Sequence, residues 1–235
     1  TIEEAFTAAN AAGKATITLL DNCTVTDTTS LQINTGSDIT LDLAGHTLTG
    51  NGQTSVITVN TNSTFTLDGS GTITGGFADN GGGVFVSAGA SFIMAGATIS
   101  GNSAVDANST GYGGGVYVSG GARFTMTGGV ISGNSAHNRA GGGVYVDGGT
   151  FTMKGGTVSN NNAYRGTGVS ISSDATFIME GGAISNNHGT ASANGAGVYV
   201  NDSATFIMKG GTISENVTDD GNGGGVYVGG SASFT

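Results

Sequence analysis

Three short segments of the chain, about one repeat apart, hold the side chains best suited to moving a proton or gripping an anion: His137 with Arg139, Tyr164 with Arg165, and His188. An imidazole changes charge near neutral pH, a guanidinium holds a carboxylate through two parallel bonds, and a phenol donates one more. Gathered on neighbouring turns of one scaffold, the five would receive an acidic sugar or another carboxylate, or would supply an acid and a base. They are also ordinary polar residues of variable loops, and solvated side chains with no chemistry are the simpler account of them. No residue is singled out as catalytic.

A second set is aromatic. Phe85, Tyr117, Tyr145, Tyr199 and Tyr227 occupy the middle of a recurring tripeptide, apolar-x-apolar, whose other copies carry Gln32, Thr58 and Ser170 there. Rings repeated at one position either stack on each other, stabilising their own scaffold by about 0.5 to 1.5 kcal/mol per pair, or form a platform for sugar rings. Metal chemistry has less to work with. Cys23 is the only cysteine, so neither an intrachain disulfide nor a zinc site of several thiolates is possible. Asp42 and Asp68 lie one repeat apart, but calcium wants about six to eight oxygens. No metal and no cofactor is expected.

What would hold these residues in line is a repeat. The unit is clearest as Gly113-Gly114-Gly115-Val116-Tyr117-Val118, then Phe124-Thr125-Met126, then Val130-Ile131-Ser132-Gly133-Asn134. Aligned on its second block (Ile39, Phe65, Phe92, Phe124, Phe151, Phe177, Phe206, Phe234), it recurs at 26 residues (Ile39 to Phe65) to 32 residues (Phe92 to Phe124). Each block alternates apolar with variable positions and is bounded by Gly, Asn or Ser, the pattern of a short strand. The expectation is an all-β chain: a right-handed, single-stranded parallel β-helix of about eight three-strand coils over residues 14–235. Residues 1–13 read as a capping helix, with Thr1 and Glu4 as a capping box, Ile2, Phe6 and Ala9 on one face, and Gly13 at its end.

The strands assign their own faces. Val116 and Val118, with their copies in every coil, should point inward, as should each Phe and the Leu or Met two residues later. Asn102, Asn134, Asn161, Asn187 and Asn216 follow the third strand and should form an amide ladder in a left-handed backbone, with Asn51 in the same column and Gly76 interrupting it. Lys154, Glu180 and Lys209 should alternate in charge along another column. The middle of the second strand runs Thr40, Thr66, Ile93, Thr125, Thr152, Ile178, Ile207. Those isoleucines break the threonine row that ice binding would need, and no strand is expected to repeat two outward threonines through the stack.

Composition narrows the partners. Sixteen acidic against six basic residues give a formal charge of −10, so a phosphate backbone would meet repulsion, and no nucleic acid is expected. With 37% apolar and only 9% charged residues the chain can bury a core. No apolar run reaches the length of about 18 residues that a membrane span needs. Thr235 falls inside the second strand of an unfinished coil, which leads us to expect a piece of a longer surface protein with flanking domains.

Ile-Ser-Gly-Asn followed by Gly-Gly-Gly-Val-Tyr-Val, repeated over essentially the whole chain after the helix, resembles the coil motifs of right-handed β-helix repeat proteins of bacterial surfaces. It looks like the pectate-lyase superfamily in fold and like adhesin-type repeats in motif. The resemblance implies an extracellular or cell-surface setting and a structural or adhesive role facing polysaccharide, or a host or bacterial surface glycan. Within that superfamily, lyases bring acidic calcium ligands together with a proton-accepting basic residue. Here only Asp219 and Asp220 are adjacent aspartates, so a polysaccharide lyase or glycoside hydrolase is the alternative rather than the leading expectation.

Overall fold

The computed structural model describes residues 1–105 and 111–235, so part of the variable segment between Ser103 and Gly113 lies outside the described residues. Its helix, Ile2–Ala12, begins at Thr1, whose hydroxyl accepts from Glu4 N (3.2 Å) while Glu4 Oε2 accepts from the terminal amine (2.8 Å). Ile2, Phe6 and Ala9 are buried against the first coil. Asn10 treats the edge of that coil as a neighbouring strand would: its Nδ2 donates to Gln32 O (2.7 Å) and its Oδ1 accepts from Asn34 N (2.8 Å). The helix therefore covers backbone groups that an open sheet edge would leave unpaired. Among the described residues no helix is long and apolar enough to cross a membrane.

From there the chain is a parallel solenoid. One sheet of eight strands runs from Leu31–Ile33 to Val226–Val228, and a second, of nine, from Lys14–Thr18 to Ser233–Phe234. A third, again of eight, runs from Cys23–Thr24 to Thr212–Ser214. Every strand pairs in parallel with its copy one coil away, and the first three sheets keep register throughout. These are the three strands per coil that the repeat predicts.

The structure adds a fourth. Phe77–Ala78, Ser103–Ala104, Ser135–Ala140, Asn162–Arg165, His188–Asn194 and Val217–Thr218 form a six-stranded sheet out of segments that the sequence reading treated as loops. Their inward side chains, Ala78, Ala104, Ala136 and Ala163, align in register but are too small to announce a buried strand. Between the third strand and this one sits the asparagine ladder. Its members Asn102, Asn134, Asn161, Asn187 and Asn216 are buried, whereas Asn51 stays outside it and serves its own turn, accepting from Gln53 N and Thr54 N. The left-handed residue is not the ladder asparagine, as expected, but the one before it: Gly101, Gly133, Asn160, Asn186 and Glu215. The turn bends first, and the asparagine then aims inward from ordinary backbone.

The core is a stack. Phe65, Phe92, Phe124, Phe151, Phe177 and Phe206 are fully buried, with successive ring centroids 4.6 to 5.5 Å apart. Val and Ile pairs of the first sheet face them, at 0% exposure from Ile33 to Val200. The Gly-Gly-Gly motif follows from crowding at the entry to each first strand. Gly113 has φ 66°, a Cβ on Gly114 would lie 2.3 Å from Ser135 O, and one on Gly115 would lie 2.6 Å from Gly143 O.

Candidate functional site

Outward from the valine pairs of the first sheet stands the aromatic column. Phe85 stacks on Tyr117 (centroids 5.2 Å, planes 2° apart), Tyr117 on Tyr145 (5.5 Å, 22°), and Tyr199 on Tyr227 (5.3 Å, 2°). The phenols lean toward the next coil, where Tyr117 OH donates to Asp147 Oδ2 (2.9 Å) and Tyr145 OH shares a hydrogen with Ser172 Oγ (2.7 Å). Burial, followed by the Asp147 carboxylate, raises the Tyr117 phenol well above its usual range. Burial pushes Tyr145 up to about 12, and burial raises Tyr199 against the opposing charge of Arg165. These three phenols are therefore neutral at physiological pH.

The column has one gap, at Ser170 between Tyr145 and Tyr199. A cavity of about 200 Å³ opens there. Ser170 and Ser172 form its floor, and Tyr145 and Tyr199 stand on the coils to either side. On the flank where the chain enters the first strands stand Tyr112, Arg139, Tyr164 and Arg165; on the flank where it leaves them stand Asn201 and Asp202. Arg165 Cζ lies 5.4 Å from the Tyr164 ring and 5.9 Å from the Tyr199 ring, and Arg139 Cζ lies 5.7 Å from the Tyr112 ring. Among the described residues neither guanidinium is paired with a carboxylate. Two of the chain's six basic side chains thus border one small cavity in an acidic protein.

The five polar candidates are divided by the fold. Arg139, Tyr164 and Arg165 join Tyr145 and Tyr199 around the cavity. His137 and His188, on strands of the fourth sheet, are exposed and stand outside its lining. His188 Nε2 instead meets Asp219 Oδ1 at 2.8 Å, with both side chains about half exposed. Of the aromatic candidates, Phe85, Tyr117 and Tyr227 continue the column away from the gap. Sequence reasoning missed Tyr112, whose ring tilts onto Tyr145 (4.5 Å, 44°), and the roles of Ser170, Ser172, Asn201 and Asp202. Only the serine in the tyrosine column was a visible signal.

Two further concavities border the same outward column. One, of about 350 Å³, is lined by Thr58 and Phe85, and another, of about 440 Å³, lies between the helix and Gln32. The first sheet thus carries a discontinuous track along the rod, from Gln32 to Tyr199.

Two other surface columns differ from expectation. Lys209 pairs with Glu180 at 3.8 Å, both exposed, so the charge column holds one surface pair rather than a continuous ladder. The third sheet repeats one outward hydroxyl position through the stack and a second in part, with threonine at both only in Thr47–Thr49 and Thr72–Thr74. Thr47 and Thr49, Thr72 and Thr74, Thr98 and Ser100, Thr157 and Ser159, and Thr212 and Ser214 flank a central residue that points into the core. Val130 and Ala183 interrupt one column, and the other is unbroken from Thr24 to Ser214. On the second strand, by contrast, isoleucine replaces threonine at Ile93, Ile178 and Ile207. Asp42 is a backbone partner, accepting from Ala44 N (2.9 Å) at a left-handed turn.

No family model, curated protein or solved structure matches this chain.

Proposed function

We propose that this chain is a structural or adhesive β-solenoid module of a secreted or cell-surface protein, engaging polysaccharide or a surface glycan lengthwise along its first sheet. The observation that carries the reading is the coincidence, on one outward column, of the stacked aromatic rings with three concavities. Sugar rings present C–H faces that pack on aromatic faces, and neutral phenols keep a hydrogen-bonding tip beside them. Coils spaced about 4.8 Å apart repeat that opportunity along the rod, which suits a polymer better than a compact ligand. The extracellular setting rests on the resemblance of the repeats.

The test is a glycan array read for both retention and released product. Retention by the intact protein, lost in a Tyr117→Ser/Tyr145→Ser variant and accompanied by no product, is the expected result. Product release would move the chain to the polysaccharide lyases or glycoside hydrolases on the same scaffold, and silence in both readouts would remove the glycan reading.

A second reading, attachment to an ice face, draws on the third sheet alone. Its hydroxyl columns repeat at about 4.8 Å along the rod and about 6.6 Å across each strand, a regular uncharged array of the kind that orders water. Absence of thermal hysteresis in the intact protein removes this reading, and hysteresis abolished by Thr74→Lys would carry it.

A further inference from the structure

The gap at Ser170 is a vacancy in a stack of rings, and its chemistry differs from that of the rest of the track. Ser170 is 1% exposed and lines the floor of the cavity. Tyr145 and Tyr199 stand two coils apart, about 9.6 Å at the usual strand spacing. Arg165, on the coil of Ser170, lies over the Tyr199 ring from this side while Tyr227 stacks on its other face, so a flat ring entering the gap meets the guanidinium as well as the two tyrosines. The cavity of about 200 Å³ is also the right size, since a void of about 150 Å³ is enough to hold benzene. A saturated ring in a chair is thicker and would have to part the two tyrosines.

Charge selects further. Arg139 and Arg165 border the cavity with their guanidinium groups stacked on rings and unpaired with any carboxylate among the described residues. A stacked guanidinium keeps its edge free for an acid group. Asp202, held by Asn201 Nδ2 at 2.7 Å, stands on the other flank and repels an acid there, so the ligand is oriented. We infer that the notch over Ser170 is a separate binding site for a single planar aromatic ring carrying a carboxylate. The ring lies in the notch between the Tyr145 and Tyr199 coils, Arg165 swings from the Tyr199 ring to meet the acid together with Arg139, and Ser170 stands at the ring edge. This inference stands on the notch alone and does not require the glycan reading.

The experiment is calorimetric titration of the full chain with benzoate, 4-hydroxybenzoate, cyclohexanecarboxylate, benzyl alcohol and glucuronate. The aromatic acids should bind with one-to-one stoichiometry. Cyclohexanecarboxylate should bind about tenfold more weakly, as the loss of one or two stacked faces implies. Ser170→Tyr, which restores the residue found in neighbouring coils, should abolish aromatic-acid binding without lowering the unfolding temperature. It should also leave glycan retention at Tyr117 intact, so that the two readings fail separately. Arg165→Gln should weaken benzoate and leave benzyl alcohol unchanged. Glucuronate binding as tightly as benzoate, benzoate binding undiminished in a folded Ser170→Tyr variant, or no binding of either aromatic acid would overturn the assignment.

Discussion

Asn134 and Asn161, on successive coils, are joined twice: Asn161 Oδ1 accepts from Asn134 N (3.0 Å) and from Asn134 Nδ2 (3.1 Å). The second hydrogen of Asn134 Nδ2 reaches backward to Ile99 O (2.9 Å), so one side chain ties three coils together. Asn161 repeats the arrangement toward Asn187 and Ile131.

Asn161→Ala should therefore cost far more than an average substitution. It leaves the buried Asn134 N without an acceptor, at about 1 to 3 kcal/mol, takes from Asn134 Nδ2 one of its three acceptors, and opens a void beside them. Urea unfolding should show a loss of about 3 to 5 kcal/mol. A loss below about 1 kcal/mol would mean that the ladder is decorative.

The two faces of the first sheet should respond oppositely at neighbouring positions. Val144 is fully buried, so Val144→Asp places an unpaired charge in the core and should destabilise by about 3 to 5 kcal/mol or prevent folding. Tyr145→Ser removes ring contacts to Tyr117 and Tyr112 and one hydrogen bond, and should cost only about 1 to 2 kcal/mol. Equal unfolding temperatures for the pair would show that the faces are reversed.

Stability should fall off at both ends of the pH scale for separate reasons. Partial burial works against the Glu3 carboxylate, but the hydrogen bonds from Thr26 N (2.6 Å) and the Thr26 hydroxyl (3.0 Å) outweigh it and hold Glu3 down to about 2. A depressed carboxylate stabilises the fold fully above its unfolded value of 4.5 and stops doing so as pH drops toward 2. Glu3→Gln should flatten the acid limb of a thermal-unfolding profile between those values and leave the neutral region shifted down but level. At the alkaline end Tyr145, raised to about 12, contributes fully below its unfolded value of 10.0, and that contribution disappears as pH climbs through 12. Tyr145→Phe should remove that part of the alkaline limb.

Much of the fold was legible because the repeat states it many times. A buried Phe, a flanking Val pair or a ladder Asn recurs at one position in coil after coil, and a single coil's ambiguity is resolved by its copies. The fourth strand was not legible, since its inward residues are alanines, which neither strand preference nor hydrophobic alternation marks. The hydroxyl columns of the third sheet were overlooked for a related reason. Their strands are three residues long, with a single apolar residue between two small polar ones.

The candidate site was legible only in part. The tyrosine column could be written down from spacing, but Ser170 read as one more variable position in it. Arg139, Tyr164 and Arg165 were grouped with His137 and His188 by chain position, but His137 and Arg139 are separated by the left-handed backbone of Asn138 (φ 53°) and by an irregular register between Ala136 and Ala140, which break the alternation that would put both on one face.

By itself, then, the amino-acid sequence determined the coil: its period, its inward columns, its glycine entry, its asparagine turn and the capping helix. Each of these depends only on a residue and its copy one repeat away, held at strand spacing by backbone pairing. The tertiary structure alone decided what lies between columns. That includes the gap between Tyr145 and Tyr199, the two guanidinium groups beside it and the placement of both histidines outside its lining. Such relations depend on the path of segments that differ in length from coil to coil and on the rotamers that packing selects, and no periodicity encodes either.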